Sequence, residues 1–381
     1  MDFYTKNVHY SKKSKELIQS KVTPIYQTSA FTFRSLEELE GYYEGQGNYL
    51  YSRVGNPNTD ELGKGVAALE GGDTGVATSS GISAILVSIL AVAQTGAHII
   101  ANDDLYGGTF QLIAKELQEV GIEASFVSFK DKQGIVKAIR PNTKVIYSES
   151  VTNPLLRVED LEQVVEIARE YHLISIIDNT FATPFLCNPL TVGVDLVVHS
   201  ATKYIGGHSD VTAGVVVGRQ ELMDKVNQKV VNLGANLSPF ESWLACRGLK
   251  TLSIRMERQA HNAEALANGL EGYRGVKKVY YPKSLSPLGN GAMVSVELDS
   301  SLCDIESFFR SLEWVKIVPT LAGIETTVSY PIATSHRALS QESLDELGIT
   351  RGLVRISVGI EKDEDIVSVF RQAIDRSLQK K

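Results

Sequence analysis

The sequence is poor in cysteine and contains no long hydrophobic run. Its three cysteines, Cys187, Cys246 and Cys303, lie far apart among 381 residues, and no two of them have the spacing of a metal site. This usage favours buried thiols in a reducing compartment over the disulfide framework of a small secreted domain. No apolar run reaches membrane-spanning length, and Met1–Lys6 lacks the apolar core of a signal peptide. We therefore expect a cytoplasmic protein with no membrane partner and no metal site.

The sequence also lacks an excess of positive charge. Lysine and arginine number 38 against 45 aspartates and glutamates, which gives a formal net charge of −7, and no basic block stands out. Nucleic acid is therefore not an expected partner. Hydrophobic residues make up 43% and charged residues 22%, as in ordinary globular proteins. A chain of this length has room for about two to three domains.

The periodicity indicates an α/β protein. Strand and helix signals alternate from about Gly75 to Val217, which predicts a parallel or mixed sheet with helices on both faces. After about Phe240 the chain is first mostly helical, and then strand patterns at Ala292–Leu298 and Val354–Val358 alternate with helical ones. We expect this C-terminal part to form a smaller α/β domain.

A lysine follows an apolar run that ends in small and polar residues. Leu196–His199 predicts a buried strand, and Lys203 lies in the turn after it, with Ser200 and Thr202 nearby. Ligands of α/β sheets bind at strand ends of this kind. A lone lysine there is usually a solvated surface residue. The alternative is a nucleophile, because a desolvated, hydroxyl-lined pocket lets an amine lose its proton near neutral pH.

A carboxylate ends the preceding apolar run. His172–Ile177 predicts a buried parallel strand, and Asp178 follows this strand directly. The 25 residues from Asp178 to Lys203 leave room for one loop and one further strand. A site for pyridoxal 5'-phosphate (PLP) needs such a pair at neighbouring strand ends. The lysine binds the cofactor covalently, and the carboxylate keeps the pyridine nitrogen protonated. A buried ion pair without a cofactor is the competing interpretation.

The motif around the lysine resembles that of a known family. Ser200–Tyr204 together with Gly207–Asp210 is similar to the lysine signature of the Cys/Met-metabolism (transsulfuration) family of PLP enzymes, and the resemblance extends from about Val22 to about Glu361. It implies the type I fold of PLP-dependent transferases, which is aspartate aminotransferase-like. In that fold a large mixed-sheet domain is joined to a smaller C-terminal α/β domain. PLP is the implied cofactor, and the implied partner is a small amino-acid substrate.

The resemblance also implies how the chain is divided and how it assembles. Residues 1–45 would form an arm on a neighbouring subunit, 46–240 the large PLP-binding domain and 241–381 the small domain. The protein would be a homo-oligomer, a dimer that shares its active sites and pairs into a tetramer. Tyr51 and Arg53 would reach the cofactor phosphate of the partner, although an aromatic loop with one arginine is more often a surface turn. Asn58-Thr59 departs from the Thr-Arg that the family often has here.

The cofactor site is implied residue by residue. A glycine and hydroxyls before a helix form an anion site, although by itself this is weak evidence. Tyr106 would stack on the cofactor ring and serve as an acid, although alone such a tyrosine is more often a packing residue. The resemblance makes Lys203, Tyr106 and Asp178 catalytic, and the cofactor contacts are Lys203, Asp178, Tyr106, Ser80, Gly81, Ile82, Ser200, Thr202, Tyr51 and Arg53.

The substrate site is implied in the same way. Arg355 in the strand 354–358 would bind the substrate α-carboxylate, since an inward arginine is costly unless it is paired. On alternation alone, Arg355 is equally well an outward-facing residue. The implied substrate contacts are Arg355, Asn153, Thr326, Glu325, Tyr51 and Gln111.

Departures from the family pattern narrow the choice among the reactions that this family catalyses. Gly108 stands where methionine γ-lyases commonly carry cysteine, while Gln111 and Thr59 replace arginines suited to a distal carboxylate. The latter two departures favour a short, uncharged γ-substituent. The leading hypothesis is a carbon–sulfur γ-lyase acting on methionine, homocysteine or cystathionine. The alternative is γ-replacement on an O-acylated homoserine, as by a cystathionine γ-synthase or an O-acetylhomoserine sulfhydrylase. A catalytically silent binding protein is the third possibility.

Overall fold

A seven-stranded mixed sheet forms the centre of the larger part of the molecule. The computed structural model describes residues 1–10, 20–47, 49–334, 337, 342, 344 and 348–379. The strand order is β1-β7-β6-β5-β4-β2-β3. Strands β6, β5, β4, β2 and β3 are mutually parallel, and β7 runs antiparallel to its two neighbours. The strands are β1 Thr74–Thr78, β2 His98–Asn102, β3 Glu123–Val127, β4 Thr143–Glu149, β5 Ile174–Asp178, β6 Leu196–His199 and β7 Gly214–Gly218.

Helices cover this sheet, and their ends follow local sequence signals. Helix Pro57–Glu70 begins after the N-cap Asn56, whose side chain accepts from the amide of Asn58, and it ends at the left-handed Gly71. The π-helical turn Leu112–Glu116 interrupts the helical stretch after β2. The other helices of this part are Phe3–Val8, Leu36–Tyr43, Gly81–Val92, Gly107–Gln111, Leu117–Glu119, Lys132–Ala138, Leu161–Glu170, Thr183–Leu186, Pro189–Val192 and Gln220–Leu233.

The central strands are apolar because both of their faces are covered. All four residues of β6 and all five of β7 are buried. One face of β6 contributes Val198 to a cluster with helix Gly81–Val92, while Val197 packs on the other side with helix Leu161–Glu170. The sheet thus holds the carboxyl ends of β4, β5 and β6 at one fixed edge.

A second, five-stranded sheet forms the core of the smaller part. Its order is β10-β11-β12-β9-β8, and β12 is antiparallel to both β11 and β9. The expected pairing of a large mixed sheet with a smaller C-terminal α/β domain is therefore confirmed. The strands are β8 Val276–Tyr280, β9 Met293–Leu298, β10 Lys316–Ile317, β11 Thr327–Ser329 and β12 Leu353–Ser357; the helices are Pro239–Leu249, Leu252–Leu270, Ile305–Arg310, the 3-10 turn Pro331–Ala333 and Asp363–Ser377.

The first helix packs on its own chain. Asn7 is fully buried, its side-chain amide donates to the Leu249 carbonyl at 2.7 Å, and it accepts from the Ser253 amide at 3.0 Å. Phe3 contacts the ring of Phe185 edge-on, with 5.4 Å between the ring centroids. An arm over residues 1–45 that reaches a neighbouring subunit stays a prediction, and residues 11–19 of it lie outside the described residues. In the described part of the chain, no helix is long and apolar enough to span a bilayer.

Candidate active site

A cavity of about 640 Å³ opens where the carboxyl ends of β4, β5 and β6 meet the start of helix Gly81–Val92 and strand β12. Strand ends of a parallel sheet are the usual ligand site in this class of fold. The structure brings most of the predicted site residues together here. The cavity is lined by Ser80, Gly81, Ile82, Tyr106, Asn153, Asp178, Ser200, Thr202, Lys203 and Arg355.

Lys203 reaches the cavity from a turn that is fixed by the main chain. The amide of Lys203 donates to the Ser200 carbonyl at 3.0 Å, and Thr202 Oγ1 exchanges hydrogen bonds with the main chain of Ala213. The Nζ atom donates to Thr320 Oγ1 at 2.8 Å. Burial, helped by the nearby charge of Arg355, lowers the pKa of Lys203 to about 8. The amine can therefore lose its proton near neutral pH, as a nucleophile must.

Asp178 ends β5 and faces the same cavity. Its Oδ1 accepts from the amide of Thr180 at 2.9 Å. Burial raises the pKa of the Asp178 carboxyl, while hydrogen bonds from Thr180 and the nearby His199 oppose the shift. A partly desolvated carboxylate of this kind regains its negative charge when a cation binds beside it. A protonated ring nitrogen is such a cation, so this end of the cavity fits the pyridine side of PLP.

The opposite side of the cavity fits a phosphate. Ser80 caps helix Gly81–Val92 in a capping box with Ser83, and the next residues, Gly81 and Ile82, line the cavity with the first turn of the helix, whose amides lack partners within the helix. Gly81 is required here, because a Cβ atom at that position would lie 2.6 Å from Cβ of Ser200. The main chain of the helix start and the Ser200 hydroxyl thus lie close enough together to hold one anion.

Arg355 projects from β12 into the cavity and is almost fully buried. Its Nε donates to Ser329 Oγ at 3.1 Å, and one terminal nitrogen donates to Asn153 Oδ1 at 2.9 Å. Burial lowers the pKa of the guanidinium to about 10. Within the described ranges, no carboxylate side chain pairs with Arg355. A buried guanidinium held only by neutral groups fits a ligand carboxylate.

Tyr106 stands at the rim of the cavity, immediately before helix Gly107–Gln111. Its ring remains 45% exposed, and its main-chain amide donates to Glu149 Oε1 at 2.7 Å. A Cβ atom on Gly108 would lie 2.6 Å from the Tyr106 ring, so the ring position depends on a glycine at 108. Stacking of Tyr106 on a cofactor ring stays a prediction.

Five predicted residues do not line the cavity of this single chain. Tyr51 and Arg53 are exposed, and Arg53 donates to the Val231 carbonyl at 3.1 Å. The Thr326 hydroxyl is buried and donates to Glu361 at 2.8 Å, while Glu325 pairs with Lys316 at 2.5 Å. Gln111 and these four are absent from the cavity lining. Their cofactor and substrate roles stay predictions.

Sequence reasoning missed residues that belong to the site. Thr320 holds the lysine amine, Glu149 holds the Tyr106 main chain, and Arg337 lies at the cavity mouth as an exposed residue. For Glu149 a signal existed, since it ends an apolar strand as Asp178 does. Thr320 and Arg337 lie in segments without periodicity, and no local pattern places them near Lys203.

The fold and the lysine-centred cavity define a PLP-dependent enzyme of the type I fold. A family described as Cys/Met metabolism PLP-dependent enzyme matches residues 4–375. The chain belongs to this family. Its relatives include PLP-dependent lyases of sulfur amino acid metabolism, and PLP is the cofactor of this enzyme.

Individual relatives differ in the reaction they are named for. The chain is 40% identical to the cystathionine γ-lyase of Bacillus subtilis, over 92% of this chain and 93% of the relative. It is 38% identical to the cystathionine β-lyase of Lactococcus lactis, over 98% of both chains. It also matches a Campylobacter jejuni structure assigned as an O-acetylhomoserine (thiol)-lyase that contains a pyridoxyl-lysine phosphate, with a TM-score of 0.90 and 30% identity, over 98% of this chain and 100% of the other.

Proposed function

We propose that this enzyme is a carbon–sulfur γ-lyase that converts methionine, homocysteine or cystathionine and water to 2-oxobutanoate, ammonia and a thiol, which is hydrogen sulfide in the case of homocysteine. The observation that carries the proposal is the shared placement of Lys203 and Arg355 in one cavity, where burial and then the charge of Arg355 lower the pKa of the lysine. An amino acid whose carboxylate is bound at Arg355 presents its α-carbon to the amine. The likeness to the cystathionine γ-lyase of Bacillus subtilis supports γ-elimination.

Residues that line the cavity have separate roles in the proposed reaction. Arg355 binds the α-carboxylate and thereby orients the substrate. When bound, PLP supplies the electron sink for charge developing at the α-carbon. Lys203, with its depressed pKa, takes the α-proton as a general base, and Thr320 steadies the amine between proton transfers. Tyr106 at the rim donates a proton to the departing sulfur.

The second candidate is γ-replacement on an O-acylated homoserine. It is supported by the likeness to the Campylobacter jejuni structure assigned as an O-acetylhomoserine (thiol)-lyase. The same lysine and arginine serve both reactions, because elimination and replacement share the steps up to loss of the γ-substituent. The two outcomes then differ in whether water or a thiol reaches the remaining fragment.

The proposal includes an assembly and a location. We infer a dimer in which Tyr51 and Arg53 complete the phosphate site of the partner subunit, with dimers pairing into a tetramer. Their exposure in the single chain supports this arrangement, as does their absence from the chain's own cavity. The three free cysteines support a cytoplasmic location.

The test is to measure 2-oxobutanoate and pyruvate release from methionine, homocysteine, cystathionine and O-acetylhomoserine, each with and without added thiol. Fast 2-oxobutanoate release from one sulfur amino acid without thiol is the expected result. Pyruvate from cystathionine would replace the proposal by β-elimination. Thioether formation that requires both the acylated homoserine and the thiol would replace it by the second candidate.

A further inference from the structure

Glu149 lies directly beside Asp178 at the floor of the cavity. It is the last residue of β4, Asp178 is the last residue of β5, and the two are partners in the parallel register. Neighbouring strands are about 4.8 Å apart, and partner side chains lie on the same face. Both residues line the cavity, and Glu149 is only 6% exposed. Two carboxyl groups therefore share one poorly solvated edge of the sheet.

The groups around Glu149 add acids rather than a cation. Asp104 after β2 and Glu159 after β4 face it together with Asp178, and Tyr147 precedes it on the same strand. The nearby Arg157 is already paired with Asp104. In the part of the chain that the structure describes, no lysine or arginine forms an ion pair with Glu149. A second negative charge at this edge would be unpaired.

The groups around Asp178 stabilise a negative charge better than the groups around Glu149 do. Two adjacent carboxylates in a dry site do not both ionise. Asp178 accepts from Thr180 and lies near His199, both of which favour its anion. Glu149 accepts one main-chain hydrogen bond, at Oε1 from Tyr106, which leaves Oε2 for a proton. Burial and then the charge of Asp178 raise the pKa of Glu149 well above its usual range.

We propose that Glu149 is a positioning residue that keeps its proton in the working enzyme, fixing the Tyr106 main chain while leaving Asp178 as the single anion for the cofactor ring. The inference uses the PLP site and the hydrogen bond to Tyr106 alone. It therefore holds or fails independently of which sulfur amino acid the enzyme cleaves. Glu149 touches neither substrate nor reacting atoms in this scheme.

Glu149→Gln is the discriminating variant, because glutamine is neutral and its side-chain oxygen can accept the same hydrogen bond. We expect Glu149→Gln to keep kcat/KM within about threefold of the wild type and to keep its pH profile. The visible absorption and circular dichroism of the bound cofactor should also be unchanged. Glu149→Ala leaves the Tyr106 amide unpaired, and we expect about tenfold or greater loss of kcat/KM with altered cofactor dichroism. Glu159→Gln, a neighbouring acid without a bond to Tyr106, is the matched control.

Infrared difference spectra read the protonation state directly and do not depend on activity. Subtracting the Glu149→Gln spectrum from that of the wild-type holoenzyme at neutral pH should leave a carboxylic-acid C=O stretching band. A carboxylate band in its place would overturn the proposal. A shifted pH profile or a changed cofactor spectrum in Glu149→Gln would overturn it as well, even if Glu149→Ala fails to fold.

Discussion

The amine of Lys203 donates to the hydroxyl of Thr320 at 2.8 Å across 117 residues of chain. Lys203 belongs to the turn after β6 of the large sheet. Thr320 belongs to the segment between β10 and β11 of the small sheet. The reactive amine is thus held from both parts of the molecule, and its orientation depends on how the two sheets are placed.

The hydrogen bond predicts a role for Thr320 in turnover. Thr320→Val keeps the shape of the side chain but removes the hydrogen-bond acceptor. We expect it to lower kcat about tenfold with little change in KM, because the amine of Lys203 is no longer held in place between proton transfers. Thr320→Ser keeps the hydroxyl and should retain most of the activity. Steady-state kinetics on the best substrate are the measurement. Equal rates for the valine and serine variants would contradict this role.

The depressed pKa of Lys203 predicts how the stability of the PLP-free protein depends on pH. Because burial lowers the pKa from 10.5 to about 8, the unfolded chain binds more protons than the folded one between these values. Lys203 therefore makes the free energy of unfolding rise as pH rises from about 8 to 10.5. The destabilisation of the folded state by the buried charged amine is largest below about pH 8. We expect Lys203→Met to be more stable by about 1–3 kcal/mol at neutral pH. The gain should shrink at about pH 9.5, as measured by urea unfolding of both proteins.

The proposed sharing of Arg53 between subunits predicts complementation in mixed dimers. Lys203→Ala and Arg53→Ala should each be inactive or weakly active alone. In a mixed dimer one site carries both substitutions and the other carries neither. Random reassociation of equal amounts should therefore restore about one quarter of the wild-type activity. Absence of recovery in dimers confirmed to be mixed by mass would show that Arg53 serves its own chain.

Arg337 at the cavity mouth predicts a preference for substrates with a distal carboxylate. The sequence argument from Gln111 and Thr59 favoured a short, uncharged substituent instead. Arg337 is exposed and lines the cavity, so we expect its guanidinium to bind a carboxylate at the distal end of a substrate. We expect Arg337→Gln to lower kcat/KM for cystathionine and O-succinylhomoserine about tenfold or more, which corresponds to loss of one charged hydrogen bond. Homocysteine and O-acetylhomoserine, which lack that carboxylate, should change little.

The control for this prediction is Arg351→Gln, an exposed arginine that does not line the cavity. The succinyl and acetyl substrates have the same homoserine part, so their ratio isolates the distal carboxylate. If Arg337→Gln lowers both substrates equally, the residue acts on the fold of the cavity mouth and not on specificity.

The strands and the central lysine were predictable because their signals are local. The run ending at His199 and the run ending at Asp178 are buried on both faces, so their composition identifies them without knowledge of the fold. The parallel pairing of β5 and β6 then brings Asp178 and Lys203 to one edge. Arg355 lies in an equally apolar strand, but alternation left its direction open until the register with β9 and β11 was known.

The supporting contacts could not be predicted in the same way. Thr320 meets Lys203, and Glu149 meets Tyr106, only through the packing of separate elements. The sequence pattern of one segment does not indicate which residue of another segment it will contact. The proposed roles of Tyr51 and Arg53 require a second chain, and the fold of one chain does not place either residue in the cavity lining.

The hydrogen bond from Arg355 to Asn153 joins the two parts of the molecule at the proposed carboxylate site. In the free enzyme the guanidinium is already oriented by Asn153 and Ser329, so an arriving carboxylate meets donors that need no reordering. The arginine comes from the small sheet and the asparagine from the segment after β4. A carboxylate that took the place of Asn153 would remove one of the links between the two sheets. We therefore expect a bound amino acid to change how firmly the two sheets are joined, so that occupancy of the site is coupled to the flexibility of the protein.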